Sequence, residues 1–267
     1  MPLDEVNGAG LYWERAGAGP RLLFCNGSGS TLADARPLLG QLSGRFELLA
    51  WDYRGFGRSA RPAGAYAMAD LAADALAVLQ LAGWRTCRIL GLSFGGMVAQ
   101  ELAVTHPERV ERLVLACTSP GGGGGASYPF ERLAELGVED RARTWLKLAD
   151  DRWDPGWLEA RPGERMIAER FAARLHPLDE AAAAARRAQL QARSGHDVWD
   201  RLGVITCPTL VACGSHDGIA PLANGAAIAS RVVRAQLRAY DGGHMFIFQD
   251  PAAMPELIGF LSGADPT

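Results

Sequence analysis

The sequence predicts an α/β protein with a mostly parallel central sheet flanked by helices, and three observations carry that expectation. Short apolar, β-rich runs alternate with longer helical patterns at both ends of the chain, which reads as βαβ units around strands buried on both faces. The middle of the chain breaks the alternation with an arginine- and alanine-rich stretch of helical period. The chain has 267 residues, enough for one large core carrying a modest insertion.

In order, strands are expected over 21–25, 46–51, 87–91 and 112–117, with helices from about Ala33, over 68–82 and over 94–105. The last of these is stopped by His106-Pro107. The alternation resumes with strands over 209–213 and 235–240 and helices over 222–231 and 251–261. Residues 1–119 and 203–267 are therefore expected to form one core domain, split by a helical cap over 120–202. Five consecutive glycines, 121–125, open the insertion. Glycine loses more backbone entropy on ordering than any other residue, so the run is expected to be a flexible connection. In open sheets of this kind ligands gather at the carboxyl ends of the strands, which the cap would overhang.

Composition excludes several classes. A net charge of -3 provides no basic footprint for nucleic acid. The acidic start, Met1-Pro2-Leu3-Asp4-Glu5, is unlike a secretory signal, and no apolar run reaches the ~20 residues that span a bilayer. A cytoplasmic protein without membrane or nucleic-acid partners is expected. The five cysteines, Cys25, Cys87, Cys117, Cys207 and Cys213, lie in or beside apolar runs and read as buried thiols. No zinc spacing appears, and no metal or cofactor is implied.

The chemistry is carried by Ile89-Leu90-Gly91-Leu92-Ser93-Phe94-Gly95-Gly96, which sets Gly-x-Ser-x-Gly between a strand and a helix. A serine on so sharp a turn exposes Oγ, and the flanking glycines let strand and helix approach. An incidental serine in a glycine-rich turn would look the same, so the reading needs a base and a carboxylate further on. Both occur. Asp217 follows the expected strand ending at Cys213, and His244 follows the one ending at Tyr240. Ser93 is therefore the candidate nucleophile, His244 the general base and Asp217 the residue that orients it. His106, at a helix end, and His176 and His196, in the cap, do not compete. His216 adjoins Asp217 and reads as loop structure, because adjacent side chains point apart.

The sequence resembles the α/β-hydrolase superfamily over nearly its whole length. The resemblance lies in Trp51-Asp52-Tyr53-Arg54-Gly55-Phe56-Gly57-Arg58-Ser59, in the serine turn running on to His106-Pro107-Glu108-Arg109-Val110, in the loop from Gly214 to Pro221, and in Gly243-His244. It implies an α/β-hydrolase fold, structural roles for Asp52 and Arg54, and an oxyanion hole built from the backbone N–H groups of Phe94 and Ser28. Relatives usually begin that second loop with His-Gly, where this chain has Asn26-Gly27.

A serine nucleophile argues against the aspartate-dependent dehalogenases and epoxide hydrolases of the superfamily. It argues equally against the cysteine-dependent dienelactone hydrolases. The loop Phe24-Cys25-Asn26-Gly27-Ser28-Gly29-Ser30-Thr31-Leu32 is similar to that of 3-oxoadipate enol-lactonases, which implies a small ester or lactone substrate. It is also similar to the carbon-carbon bond hydrolases that cleave vinylogous diketones. A ligand-binding receptor on the same scaffold is the reading from a different class. Trp145, Trp153, Trp157 and Tyr128 are the cap side chains that would shape specificity or, more plainly, form the cap core.

Overall fold

The computed structural model describes residues 3–62, 64–175 and 178–263. Its elements are β1 (Asp4–Val6), β2 (Ala9–Leu11), β3 (Trp13–Ala16), β4 (Arg21–Cys25), α1 (Leu32–Ser43), β5 (Glu47–Trp51), α2 (Met68–Leu81), β6 (Cys87–Leu92), α3 (Phe94–Thr105) and β7 (Val110–Ala116). Four helices follow, α4 (Val138–Ala149), α5 (Pro155–Glu159), α6 (Pro162–Ala172) and α7 (Glu180–Ser194). The chain closes with β8 (Thr209–Gly214), α8 (Leu222–Arg231), β9 (Ala235–Tyr240), α9 (Phe246–Gln249) and α10 (Ala253–Ser262).

Seven strands make one sheet in the order β3-β5-β4-β6-β7-β8-β9. All pairs are parallel except the β3 edge, which runs antiparallel to β5. Alternate residues feed opposite faces: Leu23, Ile89, Leu113 and Val211 join the apolar cluster under α2, α3 and α8. Their neighbours Leu22, Leu90, Val114 and Leu210 join the cluster under α1 and α10. With both faces covered, every position must be apolar, which is why these strands read as continuous hydrophobic runs. Winding reverses at β4: the chain steps outward to β5, then returns to the other side of β4 as β6. The loops after β4 and β6 thus flank the crevice of a topological switch point.

Two features depart from the sequence reading. The strands β1 to β3 were not expected, because all three are short and β1 and β3 are half-polar; β1 pairs only with β2, and β3 is an edge with one exposed flank. The glycine run is no flexible connection. Gly122–Gly124 forms a 3-10 turn closed by hydrogen bonds from Gly124 N–H to Gly121 O and from Gly121 N–H to Gly125 O, and Pro120 O accepts from Val198 N–H. A Cβ on Gly124 would lie 2.3 Å from the Trp199 ring, and one on Gly121 would lie 2.0 Å from His196 O. The run is glycine because other chain segments press against it, an interaction that composition does not reveal.

Between β7 and β8 the regular elements of the described residues are all helical, with no strand. Leu133, Trp145, Leu148, Trp153, Ala168 and Phe171 make a separate apolar cluster, closed by Ile219 from the sheet side. Trp145 stacks on Phe171 with ring centres 4.5 Å apart. Trp157 and Tyr128 pack at its margin. Helix α7 behaves differently, since Ala192 packs into the main cluster.

All five cysteines are free, with Cys207 half-buried and the other four buried. Burial pushes the Cys87 and Cys213 thiols up to about 12. Among the described residues no helix is long and apolar enough to cross a membrane.

Candidate active site

Ser93 sits between β6 and α3 with φ 53° and ψ −115°, a conformation that costs a non-glycine residue ~1–3 kcal/mol and persists only where its surroundings impose it. Here the constraints are visible. Ser93 N–H donates to Ala116 O on β7 at 2.8 Å. A Cβ on Gly91 would lie 2.6 Å from Gly95 O, and one on Gly95 would lie 2.1 Å from Cys25 O. The two glycines allow α3 to start directly over β6 and against the end of β4, so the turn is forced and Oγ projects from it.

His244 Nε2 lies 2.8 Å from Ser93 Oγ, and His244 Nδ1 lies 2.8 Å from Asp217 Oδ2. The other carboxylate oxygen, Oδ1, accepts from Ile219 N–H at 2.8 Å and Ala220 N–H at 2.9 Å. Those two backbone donors fix the plane of the carboxylate. A carboxylate only accepts, so Nδ1 carries the hydrogen and Nε2 offers its lone pair to the serine hydroxyl. Asp217 and His244 are both buried, which removes the water that would compete for these bonds.

The loops that carry the acid and the base are held from the helical stretch. Gly218 N–H donates to Leu148 O and His244 N–H to Ala149 O, two carbonyls at the α4 C-terminus that have no partner within the helix.

Ser28 lies on the loop after β4, and Phe94 is the first residue of α3, directly after Ser93. Among the described residues neither backbone N–H meets an acceptor. Asn26 braces its loop: Oδ1 accepts from Gly27 N–H at 2.9 Å and Nδ2 donates to Thr31 O at 3.1 Å. Tyr53 OH donates to Asn26 O at 3.1 Å. Helix α7 brings Gln189 to the same loop; no local pattern relates position 189 to position 28, so the sequence held no signal for it. Asp52 accepts from Leu32 N–H and Arg58 N–H, and its carboxyl is raised chiefly by burial. Arg54 pairs with buried Asp74 at 2.6 Å. Both stay within the scaffold.

The remaining histidines are placed away from the serine. His216 Nδ1 pairs with Asp151 at 2.8 Å, and His106 faces Glu108 on the surface. His176 lies outside the described residues. Cys117, just past β7, is buried; burial, reinforced by nearby Asp217, pushes its thiol well up. Asp150, Asp151 and His216 cluster closely enough for a metal. The Asp150 carboxylate, however, is already bonded by Arg152 and Gln249.

This fold, with a serine, histidine and carboxylate joined at the strand ends, defines a class, and the chain belongs to the α/β-hydrolase fold family, whose model matches residues 20–251. Among named relatives it is 32% identical to the 2-hydroxymuconate semialdehyde hydrolase of a Pseudomonas species, covering 94% of this chain and 89% of that one. It is 27% identical to 3-oxoadipate enol-lactonase 2 of Acinetobacter baylyi, over 90% and 87% of the two chains. Among solved structures it is similar to a hydrolase from Pseudomonas aeruginosa, with TM-score 0.79 and 31% identity, over 99% of this chain and 98% of that one.

Proposed function

We propose that this enzyme opens a small carboxylic ester or lactone through an acyl-enzyme on Ser93. The observation that carries the reading is the unbroken chain Ser93 Oγ, His244, Asp217, with 2.8 Å at each link. Ser93 Oγ attacks the acyl carbon while His244 Nε2 takes the hydroxyl proton. The negative charge that develops on the carbonyl oxygen is met by the N–H groups of Ser28 and Phe94, each such donor being worth ~3–4 kcal/mol of barrier. The acyl carbon–oxygen bond then breaks and His244 passes its proton to the leaving oxygen, which in a lactone stays tethered to the acyl group. Water repeats the attack with His244 again as base, releasing the acid and restoring the serine.

In this reading residues 1–119 and 203–267 are the catalytic core and residues 120–202 a helical cap over the strand ends. The unpaired thiols fit the reducing cytoplasm. The relative named an enol-lactonase supports lactone or ester cleavage. A second reading, hydrolysis of a carbon-carbon bond in a vinylogous diketone, is favoured by the relative named a 2-hydroxymuconate semialdehyde hydrolase. Purified protein should be screened against p-nitrophenyl esters, small lactones and a ring-fission diketone. Turnover of an ester or lactone with a burst of one acyl group per Ser93 supports the first reading; turnover of the diketone alone replaces it with the second. No turnover of any of them leaves the receptor reading.

A further inference from the structure

Helix α7 turns two long polar side chains inward, Gln189 and Arg193. Its buried face is Ala185, Gln189, Ala192 and Arg193, the spacing of a single helix flank, and Gln189 is 0% exposed. Burying an amide is unfavourable unless its oxygen and nitrogen both find partners. Here the oxygen does: Oε1 accepts from Gly29 N–H at 2.8 Å and from Ser28 Oγ–H at 2.8 Å. A peptide N–H can only donate, so the atom facing Gly29 must be the carbonyl oxygen, and the orientation of the amide is settled. Nε2 is therefore the atom left over. It is buried and has no acceptor among the described residues.

The place of this amide gives the leftover donor its meaning. The Asn26 to Ser30 loop lies directly against the serine turn, since a Cβ on Gly95 would fall 2.1 Å from Cys25 O and 2.5 Å from Asn26 O. A side chain that clamps Ser28 and Gly29 holds the stretch carrying the Ser28 N–H, and its spare N–H group sits one amide's width from that stretch.

We infer that Gln189 is a positioning and recognition residue of the hydrolytic site: Oε1 holds the Ser28–Gly29 loop in register with Ser93, and Nε2 donates to a second carbonyl or carboxylate oxygen on the acyl part of the substrate. The inference rests on the acyl-enzyme reading and narrows its substrate class to acids that carry a further oxo or carboxylate group along the acyl chain.

The test compares p-nitrophenyl 4-oxopentanoate with p-nitrophenyl pentanoate, which differ in one carbonyl, on wild type, Gln189→Met and Gln189→Glu. Wild type should favour the oxo ester about tenfold in kcat/KM, the worth of one well-placed hydrogen bond. Gln189→Glu, assayed at alkaline pH where its carboxyl is ionised, keeps the acceptor for Ser28 and Gly29 but has no donor, so that preference should vanish. Gln189→Met loses both, so kcat should fall about tenfold or more on both esters. Absence of the preference in wild type, its survival in Gln189→Glu, or a wild-type kcat in Gln189→Met overturns the inference. Should the Met variant fail to fold, Gln189→Glu, with its hydrogen bonds to the loop intact, decides alone. Ser93→Ala run alongside separates the two levels: turnover retained there overturns the acyl-enzyme reading itself, while its loss beside unaffected Gln189 variants removes only the role of Gln189.

Discussion

The backbone N–H of His244 donates to the carbonyl oxygen of Ala149, so the loop bearing the proposed base hangs from the last turn of α4. Gly218, next to Asp217, hangs from Leu148 in the same way. The helical stretch is thus part of the frame that sets the distances between Asp217, His244 and Ser93. Replacing residues 121–202 by a short linker should cost about a hundredfold or more in kcat even for p-nitrophenyl acetate, because displacement of a reacting group by an ångström has that effect. Steady-state kinetics on a truncated variant that still melts cooperatively checks this; an acetyl ester turned over at the wild-type rate would show that the stretch only gates access.

Ser93→Ala should reduce ester turnover by a factor on the order of 10⁴ or more, since the members of such a triad act as a unit. The thermal midpoint should stay within a few degrees, because only a hydroxyl leaves a turn whose backbone is held by neighbours. His244→Ala should match that loss. His216→Ala, which removes pairings with the exposed Asp151 and Asp241, should retain most activity; equal losses in the two histidine variants would mean the base role has been given to the wrong ring.

Alanine at Gly121 and Gly124 should destabilise the protein, each by about 1–3 kcal/mol, the usual cost of overpacking. The added methyl groups would press on His196 O and on the Trp199 ring. Urea midpoints give the stability change, and the ratio of kcat/KM for a bulky ester to that for an acetyl ester gives the effect on access. A changed ratio at unchanged stability would instead give the run the role of a hinge.

His196 provides a pH dependence. The ring is 7% exposed, and beside the Ser119 main chain neither nitrogen reaches hydrogen-bond geometry. Burial outweighs the attraction of Glu101 and Asp197 and lowers its pKa to about 4. Between about pH 6.5 and pH 4 the unfolded chain therefore takes up a proton that the folded one refuses, and stability falls as the pH drops through that window. This loss of stability amounts to about 3 kcal/mol at most. The loss of urea midpoint between pH 7 and pH 4.5 should be smaller in His196→Phe than in wild type, and an identical loss would show that His196 does not titrate this way.

What could be read before the fold was seen is what depends on neighbours along the chain. The helices 94–105 and 222–231 and the strands 21–25 and 235–240 match α3, α8, β4 and β9 residue for residue; in β4, burial on both faces writes itself into consecutive apolar residues. The strands β1 to β3 escaped because a short edge needs no apolar run.

The sequence by itself determined the α/β class, the serine on its glycine-flanked turn, and the order in which the carboxylate and the histidine follow at strand ends. Each of these is local: a turn that needs glycine at 91 and 95, or a polar residue just past an apolar strand. Tertiary structure decided the rest. The approach of His244 to Ser93 across 151 positions, the anchoring of both loops on α4, the packing that makes 121–125 glycine and the contact of Gln189 with Ser28 all join residues far apart in the chain. Such contacts are set by how the sheet winds and by which surfaces it presses together, and no pattern of neighbouring residues encodes them.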